Sequence, residues 1–204
     1  MEAATDSLKV LVFDLNGTFY NKSSKDEFYK FICSKRPNRL KYLFQMGYYK
    51  VLLKVHQIRQ TEFKENFFNY LDDFPPATVE KYAREFWERE FPENFNKELL
   101  NRFTESKAKN VLIFCATGGL ELYVKPLFEI YKIDGFAGTR VNYDGHTYLV
   151  QGEACKGEEK IKRLETFLEG KSYRIIEAYS DSKEEILDRA EKAFLIKDGE
   201  ITAY

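Results

Sequence analysis

Four short runs of apolar and β-branched residues, each bounded by turn-forming residues, are spread along the chain. Such runs are typical of buried strands, and they predict strands over Lys9 to Asp14, Asn110 to Ala116, Tyr173 to Ser180 and Ala193 to Lys197. Between them apolar residues recur at helical spacing, which predicts helices over Leu120 to Tyr131, Glu158 to Leu168 and Lys183 to Ala190. Strands that alternate with helices favour a parallel sheet with helices on its faces, so we predict an α/β fold.

The region from about Asn21 to Glu105 has a different pattern, rich in Phe, Tyr, Lys and Glu at helical spacing and without a convincing strand. Ser24-Lys25-Asp26-Glu27 has the form of a capping box at the start of a first helix. We therefore predict an all-helical domain over residues 21–105, inserted into an α/β core domain of residues 1–20 and 106–204. Further helices are predicted in the insert over Leu40 to Ile58, Thr61 to Leu71, Val79 to Glu90 and Lys97 to Glu105.

Alternating residues around Asp144-Gly145 predict a β-hairpin within Gly135 to Gln151.

Composition narrows the class of protein. The 204 residues include 32 Lys and Arg against 33 Asp and Glu, so no general basic field for nucleic acid is present. Three cysteines far apart and two unaccompanied histidines argue against a disulfide framework and a His/Cys metal cluster. Residues 1–9 lack the pattern of a signal peptide, and no apolar run approaches a membrane span, so we expect a cytoplasmic protein.

The first candidate for chemistry is Asp14, which follows the first predicted strand and precedes a turn made by Gly17 and Thr18. Functional groups collect outside the carboxyl ends of parallel strands. An aspartate there could attack phosphorus and form an aspartyl phosphate, while the turn offers backbone N–H groups to phosphate oxygens. The simpler interpretation is a turn aspartate without a catalytic role.

Two further features suit anion binding. Thr117-Gly118-Gly119 follows the second strand, and a hydroxyl with glycine N–H groups at a helix N-terminus is a ready anion site, although a threonine also serves as an ordinary helix cap. Lys160 lies in the first turn of a predicted helix, where the helix dipole disfavours a cation. We therefore expect it to pair with an anionic group, the alternative being a solvated lysine.

The last predicted strand end carries Asp181-Ser182, with Glu185 one turn further on. Carboxylates here suit Mg²⁺, although Asp181 could equally be a helix N-cap. Taken in order, the features form parts of one reaction. Asp14 would attack phosphorus, Thr117 and Lys160 would hold the phosphoryl oxygens, and Asp181 would position a metal ion that neutralises charge.

These residues resemble the motifs of the haloacid dehalogenase (HAD) superfamily, in particular its phosphoserine-phosphatase-like branch. The first motif of that family, DxDGT, is matched by Asp14-Leu15-Asn16-Gly17-Thr18, and the second by Thr117. Three more segments match, namely Ile133 to Thr139, Gly157 to Lys160 and Tyr179 to Glu185. The resemblance implies a Rossmann-like parallel sheet core with a helical cap inserted between the first two motifs.

The resemblance also implies a site. It assigns Asp14 as nucleophile, Thr117 and Lys160 as catalytic partners, and Gly17, Thr18, Gly118 and Gly119 as phosphate-binding residues. The cofactor would be Mg²⁺, held by Asp14, Asp181 and the backbone carbonyl of Asn16, with Ser182 and Glu185 as supporting residues.

Two positions depart from the family motifs. Glu185 replaces the usual last aspartate of the acidic motif, a mild change. Asn16 replaces the aspartate that protonates the leaving oxygen and then activates water. Loss of such a group commonly costs about 10²–10⁴-fold in rate. We therefore expect Asn16 to preserve Mg²⁺ and phosphate binding, and to make the enzyme slow or trapped as the phosphoenzyme.

Three functions remain open from the sequence. The favoured one is a Mg²⁺-dependent phosphatase acting on a small phosphorylated metabolite or a lipid phosphate. The others are a phosphotransferase that uses a long-lived aspartyl phosphate, and a non-catalytic phosphate-binding or interaction protein. The aromatic and basic segment Leu40 to Ile58 would suit an interfacial helix, but we favour a cap helix that buries its aromatic side. Oligomeric state is left open.

Overall fold

The computed structural model describes residues 7–204. The described residues contain eight strands: β1 Leu8–Phe13, β2 Leu112–Leu120, β3 Gly135–Thr139, β4 Val141–Tyr143, β5 Tyr148–Val150, β6 Tyr173–Ser180, β7 Ala193–Lys197 and β8 Glu200–Ala203. Six of them form one sheet in the order β3-β2-β1-β6-β7-β8, parallel except for β8, which pairs antiparallel with β7. Strands β4 and β5 form a separate hairpin. The predicted α/β fold with a parallel sheet is confirmed.

The sheet is covered on both faces, which explains the continuous apolar runs of its central strands. Leu11 and Phe13 of β1 point into one core cluster, and Val10 and Val12 point into the other. All four side chains are at most 1% exposed. Because successive residues of a strand face opposite sides, two separate cores form above and below the same strand.

Eight α-helices surround the sheet within the described residues: α1 Ser24–Lys35, α2 Tyr42–Lys54, α3 Gln60–Phe67, α4 Pro76–Glu90, α5 Lys97–Ala108, α6 Glu121–Ile130, α7 Glu158–Phe167 and α8 Glu185–Asp188. Short 3₁₀ segments cover Pro37–Lys41 and Asn69–Leu71. Helices α1 to α5 all lie between β1 and β2 in the chain, in agreement with a helical insert. Among residues 7–204, no helix combines the length and the apolar character needed to cross a bilayer.

Helices α4 and α5 join the insert to the core in different ways. Trp87 of α4 is fully buried and donates a hydrogen bond to the backbone carbonyl of Tyr123 on α6 (2.6 Å). Phe103 of α5 packs directly on Phe13 of β1, with ring centroids 4.6 Å apart. Helix α5 therefore covers the sheet itself, whereas α4 reaches it through α6.

The predicted hairpin around Asp144-Gly145 is confirmed. The turn at Asp144-Gly145 connects β4 and β5, with Asp144 accepting from the backbone N–H groups of His146 and Thr147 (both 2.8 Å). Gly135–Thr139 instead forms β3 at the edge of the main sheet. The reason lies just before it, where the Asp134 carboxylate accepts from the backbone N–H of Ile113 (2.7 Å) and fixes the chain beside β2.

The helix predicted over Lys183 to Ala190 is limited to the single turn α8. The backbone N–H of Glu191 donates to the carbonyl of Ile175 on β6 (2.8 Å), so the chain has returned to the sheet by that point. Strand β8 was not predicted, because its four residues are mostly exposed and show no buried run.

Candidate active site

The carboxyl ends of three strands place the candidate residues together. Strand β1 pairs in parallel with both β2 and β6, so the three ends lie at one edge of the sheet. Asp14 follows β1 directly, and its backbone N–H donates to the carbonyl of Tyr179 on β6 (2.9 Å). Its carboxylate accepts from the backbone N–H of Asn16 at Oδ2 (3.1 Å) and is about 9% exposed. This leaves Asp14 mostly buried but still in contact with a cavity.

Lys160 reaches Asp14 from the first turn of α7. Its Nζ donates to Asp14 Oδ1 (2.8 Å) and to Glu184 Oε2 (2.6 Å), and the residue is 2% exposed. Burial alone would lower the pKa of Lys160, but the charges of Asp14 and Glu184 outweigh it and raise the pKa above its usual value. The lysine therefore remains a cation fixed beside the carboxylate of Asp14.

The acidic partner of Lys160 is Glu184 and not Glu185. Glu184 also accepts a hydrogen bond from Ser180 Oγ (3.3 Å), and it borders the same cavity as Asp14. Glu185 points away, with its carboxylate oxygen 3.3 Å from where a Cβ on Gly157 would lie. The chain between Asp181 and α8 is not helical, so the one-turn spacing that drew attention to Glu185 does not apply.

Asn16 connects the Asp14 loop to the helical insert. Its Oδ1 accepts from the backbone N–H of Ser24 (2.7 Å), in the first turn of α1. Its Nδ2 donates to Thr117 Oγ1 (3.4 Å), which in turn accepts from the N–H of Gly119 (3.2 Å). Both ends of the amide are thus occupied within the described residues.

The capping box predicted at Ser24 does not form, because the Ser24 hydroxyl pairs with the hydroxyl of Tyr123 (3.0 Å). Ser23 is the N-cap of α1, and its hydroxyl donates to Asp26 Oδ2 (2.7 Å) without capping a backbone N–H. The first N–H groups of a helix have no partner within the helix. One of them, that of Ser24, is satisfied by Asn16 from the core.

Gly118 and Gly119 border the cavity, but they do not lie at a helix N-terminus as predicted. Strand β2 continues through them to Leu120, with an irregular register against β3, and α6 begins only at Glu121. Gly119 has little free space, because a Cβ there would come within 2.8 Å of the Tyr123 hydroxyl. Any phosphate contact from these glycines would come from the irregular strand end.

Gly17 and Thr18 differ from the other members of the DxDGT motif. Gly17 has φ +67°, and a Cβ there would lie 2.7 Å from Asp181 Oδ2, so glycine is required for the close approach of that carboxylate. Thr18 is fully buried, does not border the cavity, and its hydroxyl has no hydrogen-bond partner in the described part of the chain. The structure therefore does not bring Thr18 to a bound phosphate.

Asp14 and Asp181 are suited to a divalent cation. Desolvation and the negative charge of Asp14 raise the pKa of Asp181, which shows two like charges close enough to repel each other. Within residues 7–204, no cluster of three or more His, Cys, Asp or Glu side chains is arranged to hold a metal ion. Two carboxylates nevertheless fit Mg²⁺, which takes one or two from a protein and keeps several waters. Ser182 borders the same cavity.

Helices of the insert close the cavity, which has a volume of about 350 Å³. Five lysines line it, against three carboxylates, those of Asp14, Asp181 and Glu184. The five are Lys25, Lys50, Lys64, Lys156 and Lys160. Apolar surface comes from Leu53, Phe63 and the ring of Tyr123.

The lysines that line the cavity affect one another's pKa values. Burial, followed by the charges of Lys25 and Lys156, lowers the pKa of Lys64 to about 7. Burial also lowers the pKa of Lys25, and the charges of Lys50 and Lys156 add to that effect against the opposing charge of Asp26. The Lys64 ammonium donates to the backbone carbonyl of Gly118, and Lys50 pairs with Asp26 (2.7 Å). Positive charge is therefore concentrated opposite Asp14.

The sequence interpretation did not include Lys25, Lys64, Lys156 or Glu184. A lysine at helical spacing among Phe and Glu residues is normally solvated, and no motif marked the three lysines. The packing of α1 and α3 over the strand ends brings Lys25 and Lys64 to the cavity, and Lys156 lies just before α7. Glu184 falls inside the matched segment Tyr179 to Glu185, so that segment was the usable signal for it.

A profile of the family described as haloacid dehalogenase-like hydrolase matches residues 11–184. The chain belongs to the haloacid dehalogenase-like hydrolase family. No curated protein sequence matches it significantly. The family match covers both the Asp14 loop and the segment that carries Asp181 and Glu184.

Solved structures share the fold at low sequence identity. A protein of unknown function from Bordetella pertussis Tohama I has a TM-score of 0.78 and 14% identity, over 92% of this chain and 89% of that one. A phosphoserine phosphohydrolase-like protein from Francisella tularensis subsp. tularensis SCHU S4 has a TM-score of 0.60 and 20% identity, over 91% and 86%. A phosphoserine phosphatase, solved as an analogue of its phospho-aspartyl intermediate, has a TM-score of 0.57 and 19% identity, over 92% and 86%. The HAD hydrolase described here thus has the fold of the phosphoserine-phosphatase-like branch.

Proposed function

We propose that this HAD hydrolase is a Mg²⁺-dependent phosphomonoester phosphatase that acts through an aspartyl phosphate on Asp14. The contact between Lys160 and Asp14 is the observation that carries the proposal. The buried Lys160 cation, 2.8 Å from the carboxylate of Asp14, lies where phosphoryl oxygens would approach. A protein that only binds phosphate has little use for the negatively charged carboxylate of Asp14 at the position where the phosphate would bind.

In the proposed reaction, an oxygen of Asp14 attacks phosphorus and the alcohol leaves. Lys160 stabilises the phosphoryl oxygens, and water then attacks the aspartyl phosphate, which releases inorganic phosphate and regenerates Asp14. Thr117 is fully buried and does not border the cavity, so its role is to hold the amide of Asn16. Mg²⁺, held by Asp14, Asp181 and the carbonyl of Asn16, would supply positive charge to the transferring group. Helices α1 to α3 serve as the cap that borders the cavity.

Asn16 limits turnover in this proposal. An amide neither gives a proton to the leaving alcohol nor takes one from water, so both steps lose general acid–base assistance. Its hydrogen bonds to Ser24 and Thr117 keep the loop in place nonetheless. Binding of phosphate and Mg²⁺ is therefore retained while the chemistry is slow.

The lysines of the cavity indicate the class of substrate. A single phosphate near Asp14 is served by Lys160 and the metal ion, which leaves Lys25, Lys50, Lys64 and Lys156 without a role in the phosphoryl transfer. Lys64 is buried and Lys25 is half-buried, whereas Lys50 and Lys156 are exposed and Lys50 already pairs with Asp26. Holding the Lys25 and Lys64 ammonium groups near each other away from water is unfavourable unless an anion compensates them. We therefore assign to the enzyme a phosphomonoester that carries a second anionic group.

The test is hydrolysis of an aryl phosphate with and without Mg²⁺. The chain should show slow, Mg²⁺-dependent release, and Asp14→Asn should abolish it, whereas Asp188→Asn, an exposed aspartate outside the cavity, should not. Unchanged hydrolysis by Asp14→Asn would exclude the aspartyl phosphate. Comparing 3-phosphoglycerate with glycerol 3-phosphate, which has an uncharged hydroxymethyl group in place of the carboxylate, tests the second anionic group separately.

A further inference from the structure

Helix α2 has two apolar faces, and only one of them is covered by protein. Met46 is buried, and Tyr42, Tyr49 and Leu53 are half-buried against the core. The opposite side carries six large apolar side chains that are all more than half exposed, four on α2 itself, one in the 3₁₀ segment before it and one at its C-cap. They are Leu40 (55%), Leu43 (55%), Phe44 (86%), Tyr48 (60%), Val51 (60%) and Val55 (54%).

The expectation that this helix buries its aromatic side is therefore met only by Tyr42 and Tyr49. The exposed residues recur every three or four positions from Leu40 to Val55, so they form one continuous strip along the helix. A contiguous apolar strip of this kind marks an interaction surface, whereas single exposed apolar side chains need no explanation.

The charges around the strip point to its partner. Residues 28–61 contain eight Lys and Arg and no Asp or Glu, although the whole chain has a net charge of −1. Three of the eight pair with acidic residues elsewhere in the chain and Arg39 is buried, which leaves four basic residues, Arg36, Lys41, Lys54 and Arg59. Lys41 and Lys54 are exposed beside the strip. An apolar helix face bordered by basic residues suits an anionic lipid surface, where the apolar side chains enter the acyl boundary and the lysines meet lipid phosphates.

A second copy of the chain suits this surface less well. A symmetric dimer would place the same patch on both partners, so one basic border would face the other. An anionic membrane offers opposite charge along the entire border. Helix α2 has 13 residues, or about 20 Å, which matches a helix lying along a surface.

We propose that the outward face of α2, from Leu40 to Val55, docks this enzyme on anionic membranes. The inner face of the same helix contributes Lys50 and Leu53 to the cavity. Docking would thus bring the helix that borders the cavity to the lipid surface. The proposal concerns binding alone and does not depend on the phosphatase reaction.

The test is co-sedimentation of the full chain with phosphatidylcholine vesicles, with and without phosphatidylglycerol. The chain should bind the anionic vesicles at least about tenfold more tightly than the neutral ones, and added salt should weaken the binding. The variant Lys41→Gln/Lys54→Gln should bind about thirtyfold more weakly, since each of the two lysines near an anionic surface contributes roughly one kcal/mol.

The apolar strip is tested by Phe44→Asp/Val51→Asp. Both side chains are exposed, so folding should be preserved, and thermal unfolding checks this directly. The variant should lose at least about tenfold in affinity for anionic vesicles, because two apolar groups leave the acyl boundary. The matched control is Leu149→Asp on β5, where an exposed leucine (47%) lies outside the strip; it should bind like the unaltered chain.

Two results would overturn the proposal. One is equal binding to vesicles by the unaltered chain and by Phe44→Asp/Val51→Asp. The other is no vesicle binding together with a dimer, detected by light scattering, that this double variant dissociates. In that case the strip would be an interface between two copies of the chain.

Discussion

The side-chain oxygen Oδ1 of Asn16 accepts a hydrogen bond from the backbone N–H of Ser24 at 2.7 Å, which joins the Asp14 loop to the first helix of the cap. Asn16 stands where the family motif has an acid–base aspartate, and it still holds the Asp14 loop to the cap. A carboxylate could perform the same task, because its oxygen accepts equally well and a negative charge is favourable at a helix N-terminus.

Asn16→Asp should therefore raise activity without loosening the cap. We expect the turnover number for an aryl phosphate in Mg²⁺ to increase about 10²–10⁴-fold, the usual contribution of a positioned acid–base group. Steady-state kinetics measure the gain, and thermal unfolding should show no loss of stability. Asn142→Asp adds the same charge at an exposed position on β4 and should change neither quantity. An Asn16→Asp variant that is as slow as the unaltered chain would contradict the acid–base role assigned to position 16.

The unaltered chain should show burst kinetics with acidic leaving groups. Nitrophenolate leaves without needing a proton, so the aspartyl phosphate forms, but Asn16 cannot activate the water that removes it. Rapid mixing should reveal a burst nearly stoichiometric with the enzyme, followed by a slow phase whose rate is the same for different aryl phosphates. Asn16→Asp should remove the burst. A slow phase that follows the acidity of the leaving group would show instead that formation of the phosphoenzyme limits the rate.

The sheet was largely predictable because its central strands are buried on both faces. The bounds of β6 and β7 agree with the predicted runs Tyr173 to Ser180 and Ala193 to Lys197. Strand β3 was harder to predict, because its place at the sheet edge depends on the Asp134 contact with Ile113, which lies 21 residues earlier in the chain. Local alternation does not reveal such a contact.

The residues of the candidate site also fall into those that the sequence predicts and those that it does not. Short motifs contain Asp14, Asn16, Thr117 and Asp181 at strand ends and Lys160 in the first turn of α7, so the sequence was enough to select them. Lys64 contacts the carbonyl of Gly118, which lies 54 residues away, and it is a site residue only because α3 folds over the strand end. The chain contains many lysines, and nothing in the sequence distinguishes Lys64 from the others.

The buried Glu177 on β6 depends on Arg102 of α5 for its charge. Arg102 binds both carboxylate oxygens of Glu177, and Tyr179 donates to one of them (2.8 Å). Although burial raises the pKa of Glu177, the hydrogen bonds from Arg102 and Tyr179 lower it below its usual value. The pair fixes α5 on the sheet.

Arg102→Met should lower the free energy of unfolding by about 3 kcal/mol, because it leaves a buried carboxylate without its partner. Chemical denaturation measures this value. The control is Arg174→Met, which removes an arginine from an exposed pair with Glu191 (3.0 Å) and should cost less than about 1 kcal/mol. Arg102→Met/Glu177→Gln should recover part of the loss. Equal losses for the two arginines would show that the Glu177 pair is no more important than a surface pair.

Lys64 should make recognition of the second anionic group dependent on pH. Burial and the neighbouring charges of Lys25 and Lys156 lower its pKa to about 7, so the ammonium form predominates only below that pH. For a substrate with a second anionic group, kcat/KM, which reports the free enzyme, should fall as pH rises through about 7. A phosphomonoester without that group should show a smaller fall.

Lys64→Met should remove this pH-dependent fall in kcat/KM, whereas Lys171→Met, which changes an exposed lysine, should retain it.

A second measurement of the Lys64 pKa needs no substrate. In the unfolded chain Lys64 keeps its proton up to its ordinary pKa, so between that pKa and about 7 the unfolded state binds more protons than the folded state. Stability should therefore rise with pH across this interval, and less so in Lys64→Met than in Lys171→Met. Identical pH dependence of both kcat/KM and stability in the two variants would show that Lys64 does not titrate near neutrality.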